Sequence, residues 1–259
     1  MDIGFKFDCF LRISYVFCVL FVVFMTNGIR ASQLFQGLPV HWSFRDVFSL
    51  EQPIHTWIPL ITEALRQFFA KCEPSQRIRS KLPPHLSVTG DVYIGRNVSL
   101  PPFGTIEGPA CIDDECILRP SVYIRGNVIV GRGCVLGNSC EFKNSLLLEH
   151  VQVPHFNYVG DSILGNGAHL GAGCILSNLR LDQQCVCMRT PTGEKIQTGL
   201  RKLGAVLGDG AQAGCNSVLQ PGSCLFPNAV VYPCESFKGT RLAKTAKEGL
   251  SRTDKNSLQ

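Results

Sequence analysis

No dense basic stripe runs through this sequence. Only 17% of its 259 residues are charged, and Lys+Arg 25 against Asp+Glu 20 leaves a formal charge of +5. A protein that binds nucleic-acid phosphates needs clustered cations to release counterions, so nucleic acid is excluded as a main partner. Long apolar runs are equally scarce. The one such stretch, Ile13–Met25 behind Lys6 and Arg12, is short for a membrane span and reads as a signal-peptide core or as sequence upstream of a start at Met25. The GIRASQLF that follows it lacks an A-x-A cleavage site. The start at Met25 is therefore preferred, which implies a cytoplasmic protein with no stable membrane partner. Disorder is excluded as well, since 45% hydrophobic residues with Gly 25 and Pro 15 describe a packable, turn-rich chain.

Cysteine is abundant, at 13 residues. Disulfide scaffolds are short and use even numbers, so this odd count reads as reduced thiols serving as small buried hydrophobes. The reason for them lies in a repeat. Val88, Ile94, Leu100, Ile106, Ile112, Leu118, Ile124, Val130, Leu136 and Phe142 fall at every sixth position, and the fourth residue after each is usually small, Cys116, Cys134 and Cys140 among them. The phase slips by one near Leu147 and again before Leu164, and after an interruption it returns at Leu207, Ala213, Leu219, Leu225 and Val231.

A helix repeats near 3.6 residues and a half-solvated strand at 2, so a period of six with turn residues inside it predicts the stacked coils of a parallel β-helix. Three hexapeptides per coil give about seven coils and, at about 4.8 Å per coil, a prism roughly 30 to 35 Å long. The expected organisation is an apolar leader over 1–31, an N-terminal cap over 32–87, a β-helix over 88–236 with an inserted loop at 177–206, and a polar tail over 237–259. Within the cap, Trp57, Ile58, Ile61, Leu65, Phe68 and Phe69 have helical spacing. They predict an amphipathic helix over about 55–71 that closes the open end of the prism.

Chemistry must come from a site on this scaffold. The least repetitive stretch is VPHFNYVGDS, residues 153–162, in which His155 is the candidate general base. Arg125 and Lys143 are one coil of 18 residues apart and stack. Either an anion such as phosphate bridges them or their side chains splay into solvent. A zinc enzyme is a rival reading: His150 and His155, five apart, resemble the zinc-binding pair of the γ-class carbonic anhydrases, with His169 as a third ligand, although where those enzymes take their other histidine this sequence holds Asp113, Asp114 and Glu115. The lone Cys185-x-Cys187 is weaker still, and no metal is assigned. A second rival is a non-catalytic binding or assembly module.

The run from IRGNVIVGRGCVLGNSCEFKNSLLLEHVQVPHFNYVGDSILGNGAHLGAGCILSNLR through GLRKLGAVLGDGAQAGCNSVLQPGS resembles the acetyltransferase half of bifunctional N-acetylglucosamine-1-phosphate uridylyltransferase/glucosamine-1-phosphate acetyltransferases. It is especially similar to the archaeal sugar-1-phosphate nucleotidylyltransferase/acetyltransferases. The PHFNYVGDS block, the GAG and the SNLR carry the likeness. It implies a left-handed all-β solenoid, a homotrimer, acetyl-CoA as donor and an amino-sugar phosphate as acceptor. Carried over by position, it implies that Arg125 and Lys143 hold the phosphate, His155 is the base, and Tyr158 and Asn178 bond the sugar. Lys202 would lie near substrate or coenzyme, and the backbone N–H groups of the Gly171 to Gly173 turn, around Ala172 and Gly173, would face the thioester carbonyl. His169 stands where the bacterial pattern has asparagine, and residues 1–87 hold no GxGTRM-like phosphate loop. The reaction expected is therefore acyl transfer without nucleotidyl transfer.

Overall fold

The computed structural model describes residues 28–243. Its hexapeptides form a left-handed parallel β-helix with three faces. The first face stacks eight strands from His85–Thr89 to Ser236–Phe237, the second eight from Val92–Ile94 to Thr240–Arg241, and the third six from Ile117–Leu118 to Val230–Val231. Eight strands on two faces exceed the seven coils expected from the repeat. The apolar stretch Ile13–Met25 and the end of the polar tail lie outside the described residues.

The six-residue period is the inward column of each face. On the first face Ile106, Ile124, Phe142, Val159, Leu176 and Leu219 stack in register, all with 0% exposure. Cys116, Cys134, Cys140 and Cys174 fill small interior positions and are likewise buried. Each coil turns its corners through residues with left-handed φ. At the corner between the third and first faces these are Ser121, Ser139, Phe156, Gly173, Asn216 and Cys234, a conformation that Gly and Asn, which recur in the hexapeptides, tolerate best.

The N-terminal helix, α1, spans Trp57–Lys71, where the spacing predicts it. It does not close the end of the prism. Its buried Trp57, Ile61 and Leu65 pack with Phe35, Trp42 and Phe48 onto Cys111, Ile129, Leu146 and Ile163, which face outward from the second face. The strands there, Val128–Val130, Ser145–Leu147 and Ala205–Leu207, are buried at every residue. A face that is apolar on both sides must be covered along its length, and the helix supplies that cover. The first coil's edge on this face is instead met by the segment 77–80, where the Ile94 N–H donates to the Arg77 carbonyl at 2.7 Å and the Arg79 N–H to the Ile94 carbonyl at 2.8 Å.

The inserted loop extends the same cover. It forms an antiparallel hairpin, Cys187–Arg189 with Lys195–Gln197, whose Val186, Met188 and Ile196 join the α1 cluster. The coils from Val128 to Ser139 carry only Arg132 as a charged residue. Part of that stretch, Ile129, is covered by the chain's own N-terminal segment.

Phe142→Ala removes the largest side chain of the inward column and is expected to cost about 3–5 kcal/mol, read as a lowered urea midpoint. A second test uses the thiols. Burial pushes Cys174 up to about 11 and raises Cys111, Cys134, Cys140 and Cys224 as well, whereas Cys185, Cys215 and Cys234 are exposed. In native protein at pH ~9, these three exposed thiols should react readily with a thiol reagent, the half-buried Cys72 and Cys187 more slowly, and the buried ones only after denaturant is added. Because the fold keeps the buried thiols protonated after the unfolded chain has lost those protons, stability should fall as pH rises above about 8.5.

Candidate active site

Both phase slips fall at one corner, between the first and second faces. Register across it drops from 18 residues (Ile124 with Phe142) to 17 (Phe142 with Val159, Leu147 with Leu164). Asn127, Asn144 and Asp161 consequently share a column at this corner, all with left-handed φ, and Asn178 follows at the same 17-residue interval. Asp161 is 4% exposed. Its carboxylate accepts from Asn144 Nδ2 at 2.7 Å and Asn178 Nδ2 at 2.5 Å, with Lys143 Nζ at 3.8 Å. Such partners are what make a buried carboxylate tolerable.

Asn178 Nδ2 also donates to Tyr158 Oη at 3.1 Å. The two side chains meet over Gly160, where a Cβ would stand 2.4 Å from Tyr158 Oη and 2.7 Å from Asn178 Nδ2. A side chain at this position would displace one or both of these polar groups. Burial holds the Tyr158 phenol above the ordinary tyrosine range, so near neutrality it keeps its proton for donation to a ligand oxygen.

Arg125 and Lys143 occupy successive coils of the first face, as their spacing predicts. Neither requires a bridging anion. Arg125 Nη1 donates to Glu141 Oε1 at 2.7 Å, and Lys143 leans toward Asp161. The expectation of two mutually repelling cations is corrected by these carboxylates, which come from neighbouring columns of the coil. Arg125 is still partly exposed, and exchanging a surface carboxylate for a phosphate is inexpensive.

His155 ends the third-face strand Gln152–His155 and is exposed. Phe156 follows with φ 54 and 59% exposure, an aromatic residue in a conformation that favours Gly or Asn. Asn157 pins this corner from inside. Its Oδ1 accepts the His155 N–H at 3.1 Å, and its Nδ2 donates to the Gly171 carbonyl at 2.7 Å and the Cys174 carbonyl at 3.2 Å.

Ala172 lies one coil beyond His155. The expectation of several free donors on its turn is corrected: the Gly171 N–H donates to the Ala213 carbonyl at 2.7 Å and the Gly173 N–H to the His155 carbonyl at 3.0 Å. Those groups are consumed by coil stacking, which leaves the Ala172 N–H as the turn's donor. Lys202 is exposed at the foot of the loop, bridged to Leu179 beside Asn178.

The histidines do not converge. His155 ends the strand Gln152–His155 while His150, with φ 57, sits at the preceding corner, and His169 Nδ1 faces Gln152 Oε1 at 3.4 Å. Among the described residues no three His, Cys, Asp or Glu side chains form a metal-holding group.

Sequence reading missed Asn144, Asp161, Glu141 and Arg119. The 17-residue interval of 127, 144, 161 and 178 is the available signal for two of them. Arg119 Nη1 stands 3.2 Å from His155 Nε2 and has no such signature.

Further along the first face a cleft of about 650 Å³ opens beneath the loop, lined by Arg180, Arg189, Lys195 and Lys238 with Asp182 and Cys187. Four cations against one carboxylate suit an anionic ligand.

Asp161→Ala strands two amide donors and Lys143 at once. It is expected to lower stability by about 2–4 kcal/mol in urea unfolding, more than Asn144→Ala alone.

Comparison with known proteins gives the following likenesses. The GMPPB C-terminal domain family matches residues 106–233. The bifunctional protein GlmU of Methanococcus vannielii is 34% identical over 155 residues, which cover 60% of this chain and 37% of that protein. The corresponding protein of Methanococcus maripaludis (strain C5) is 35% identical over the same length and coverage. The bifunctional sugar-1-phosphate nucleotidylyltransferase/acetyltransferase of Sulfurisphaera tokodaii is 34% identical over 114 residues, 44% of this chain and 28% of that one. The chain thus spans only about a third of the length of the curated relatives it matches. In fold and in sequence this chain is a hexapeptide-repeat left-handed β-helix similar to the GlmU and sugar-1-phosphate nucleotidylyltransferase/acetyltransferase proteins.

Proposed function

We propose that this protein is an acetyl-CoA-dependent N-acetyltransferase acting on an amino-sugar phosphate such as glucosamine-1-phosphate, in the supply of UDP-N-acetylglucosamine for cell-envelope precursors. The carrying observation is the cluster in which Tyr158 and Asn178 meet over Gly160, with the Lys143–Asp161 pair beside it and His155 at the next corner.

In this reading Arg125 and Lys143 take the acceptor's phosphate, and Tyr158 and Asn178 bond its hydroxyls. The attacking amine loses its proton to His155 as the new C–N bond forms. The tetrahedral oxyanion is met by the Ala172 N–H, and the C–S bond then breaks to release coenzyme A. The cationic cleft on the same face is suited to the phosphate-bearing end of the donor, with Lys202 near the path between. No thiol of the protein is needed as a nucleophile.

The proposal includes a homotrimer in the cytoplasm. With the second face covered from within, the other two faces are the ones open to neighbours, and they expose Ile117, Val230 and Phe103. No helix among the described residues is long and apolar enough to cross a membrane.

Release of free coenzyme A from acetyl-CoA and glucosamine-1-phosphate tests the reading. His155→Ala should lower turnover by ~10² or more with the thermal midpoint unchanged. A folded protein that acetylates no hexosamine phosphate would return the scaffold to a binding module.

A further inference from the structure

We infer that Arg119 is a positioning residue that keeps the His155 base closed until a phosphorylated acceptor draws its guanidinium away; this rests on His155 being the base. Arg119 follows the third-face strand Ile117–Leu118, level with Gly137 one coil on and Pro154 two coils on. The coil between them is tightly stacked, since a Cβ on Gly137 would stand 1.7 Å from the Pro154 carbonyl oxygen. Across it Arg119 Nη1 lies 3.2 Å from His155 Nε2 and donates to the Pro154 carbonyl at 3.4 Å.

A guanidinium has five N–H donors and no lone pair. His155 Nε2 must therefore be the acceptor in this contact, which leaves the ring proton on Nδ1. Both ring nitrogens are then committed, and the imidazole has no lone pair to offer an attacking amine. Arg119 itself is not committed to a carboxylate. Arg125, Arg132, Arg180 and Arg241 each hold one, whereas Arg119 makes no ion pair among the described residues and spends its charge on two neutral acceptors. A phosphate competes well for such a group, because charge-assisted, bidentate bonds to an oxyanion outweigh single bonds to an imidazole and an amide.

The binding of substrate and the arming of the base thereby become one event. Once Arg119 turns to the phosphate, Nε2 takes the proton from the amine as the C–N bond forms. The C–S bond breaks with its electron pair on sulfur, and the imidazolium returns that proton to the thiolate. Nδ1 keeps its proton throughout.

The test is NMR of ¹⁵N-histidine-labelled protein, with the His155 ring nitrogens assigned by His155→Gln. Wild type and Arg119→Ala are each titrated with inorganic phosphate, glucosamine-1-phosphate and unphosphorylated glucosamine. In wild type, Nε2 should start as a hydrogen-bonded acceptor and move to its released position with either phosphate compound but not with glucosamine. In Arg119→Ala it should start released and ignore phosphate. Kinetically, Arg119→Ala should raise KM for glucosamine-1-phosphate about tenfold while increasing turnover of glucosamine, a reversal that a merely structural residue would not produce. Identical Nε2 resonances in wild type and Arg119→Ala, or an equal shift with glucosamine alone, would overturn the inference. The spectra do not require activity, so a protein that shows the shift yet acetylates no sugar refutes the base assignment and leaves the Arg119 contact standing.

Discussion

One constraint governs the rest of this molecule: each coil stacks on the last at a single strand spacing, and its backbone hydrogen bonds fix which residue lies over which. A solenoid of this kind cannot adjust a side chain by sliding a strand, because a slip of one residue turns the inward column outward. Position along the axis and position around the corner are therefore both set by residue count. The first-face column from Ile106 to Leu219 is the visible result. The site is built from the one permitted irregularity, a corner shortened by one residue in two successive coils, which brings Asn144, Asp161 and Asn178 into a single ladder.

Much of this is legible in the amino-acid sequence. Ten apolar residues at intervals of six specify the inward column, and the interruption after Leu176 marks where the hairpin leaves the coil. The helix is legible from Trp57, Ile61 and Leu65, yet its placement is not. Amphipathicity says that one stripe must be buried and does not say against what. The information lies in the partner strands, whose VIV, SLL and AVL are apolar on both sides, a pattern belonging to a doubly covered sheet.

The candidate site divides along the same line. Tyr158 and Asn178 are readable as residues, but their contact spans 20 residues, which is no multiple of the six-residue repeat. Arg125 and Lys143 stack as counted, and their carboxylate partners Glu141 and Asp161 come from neighbouring columns that an 18-residue count does not connect. Arg119 is missed because its target lies 36 residues and two coils away, beyond the neighbouring-coil count that pairs Arg125 with Lys143.

The shortened corner also decides how this chain can diverge. Coils before Ile106 or after Leu219 could be added or lost in whole repeats while the ladder of Asn144, Asp161 and Asn178 stays as it is, since nothing in it counts from either end. Between Asn127 and Asn178, however, a single inserted residue would restore the 18-residue coil and part the ladder. Insertions there are confined to excursions that leave and re-enter the coil in phase, as the hairpin does. For the ladder, residue count thus matters at the centre of the solenoid and not at its ends.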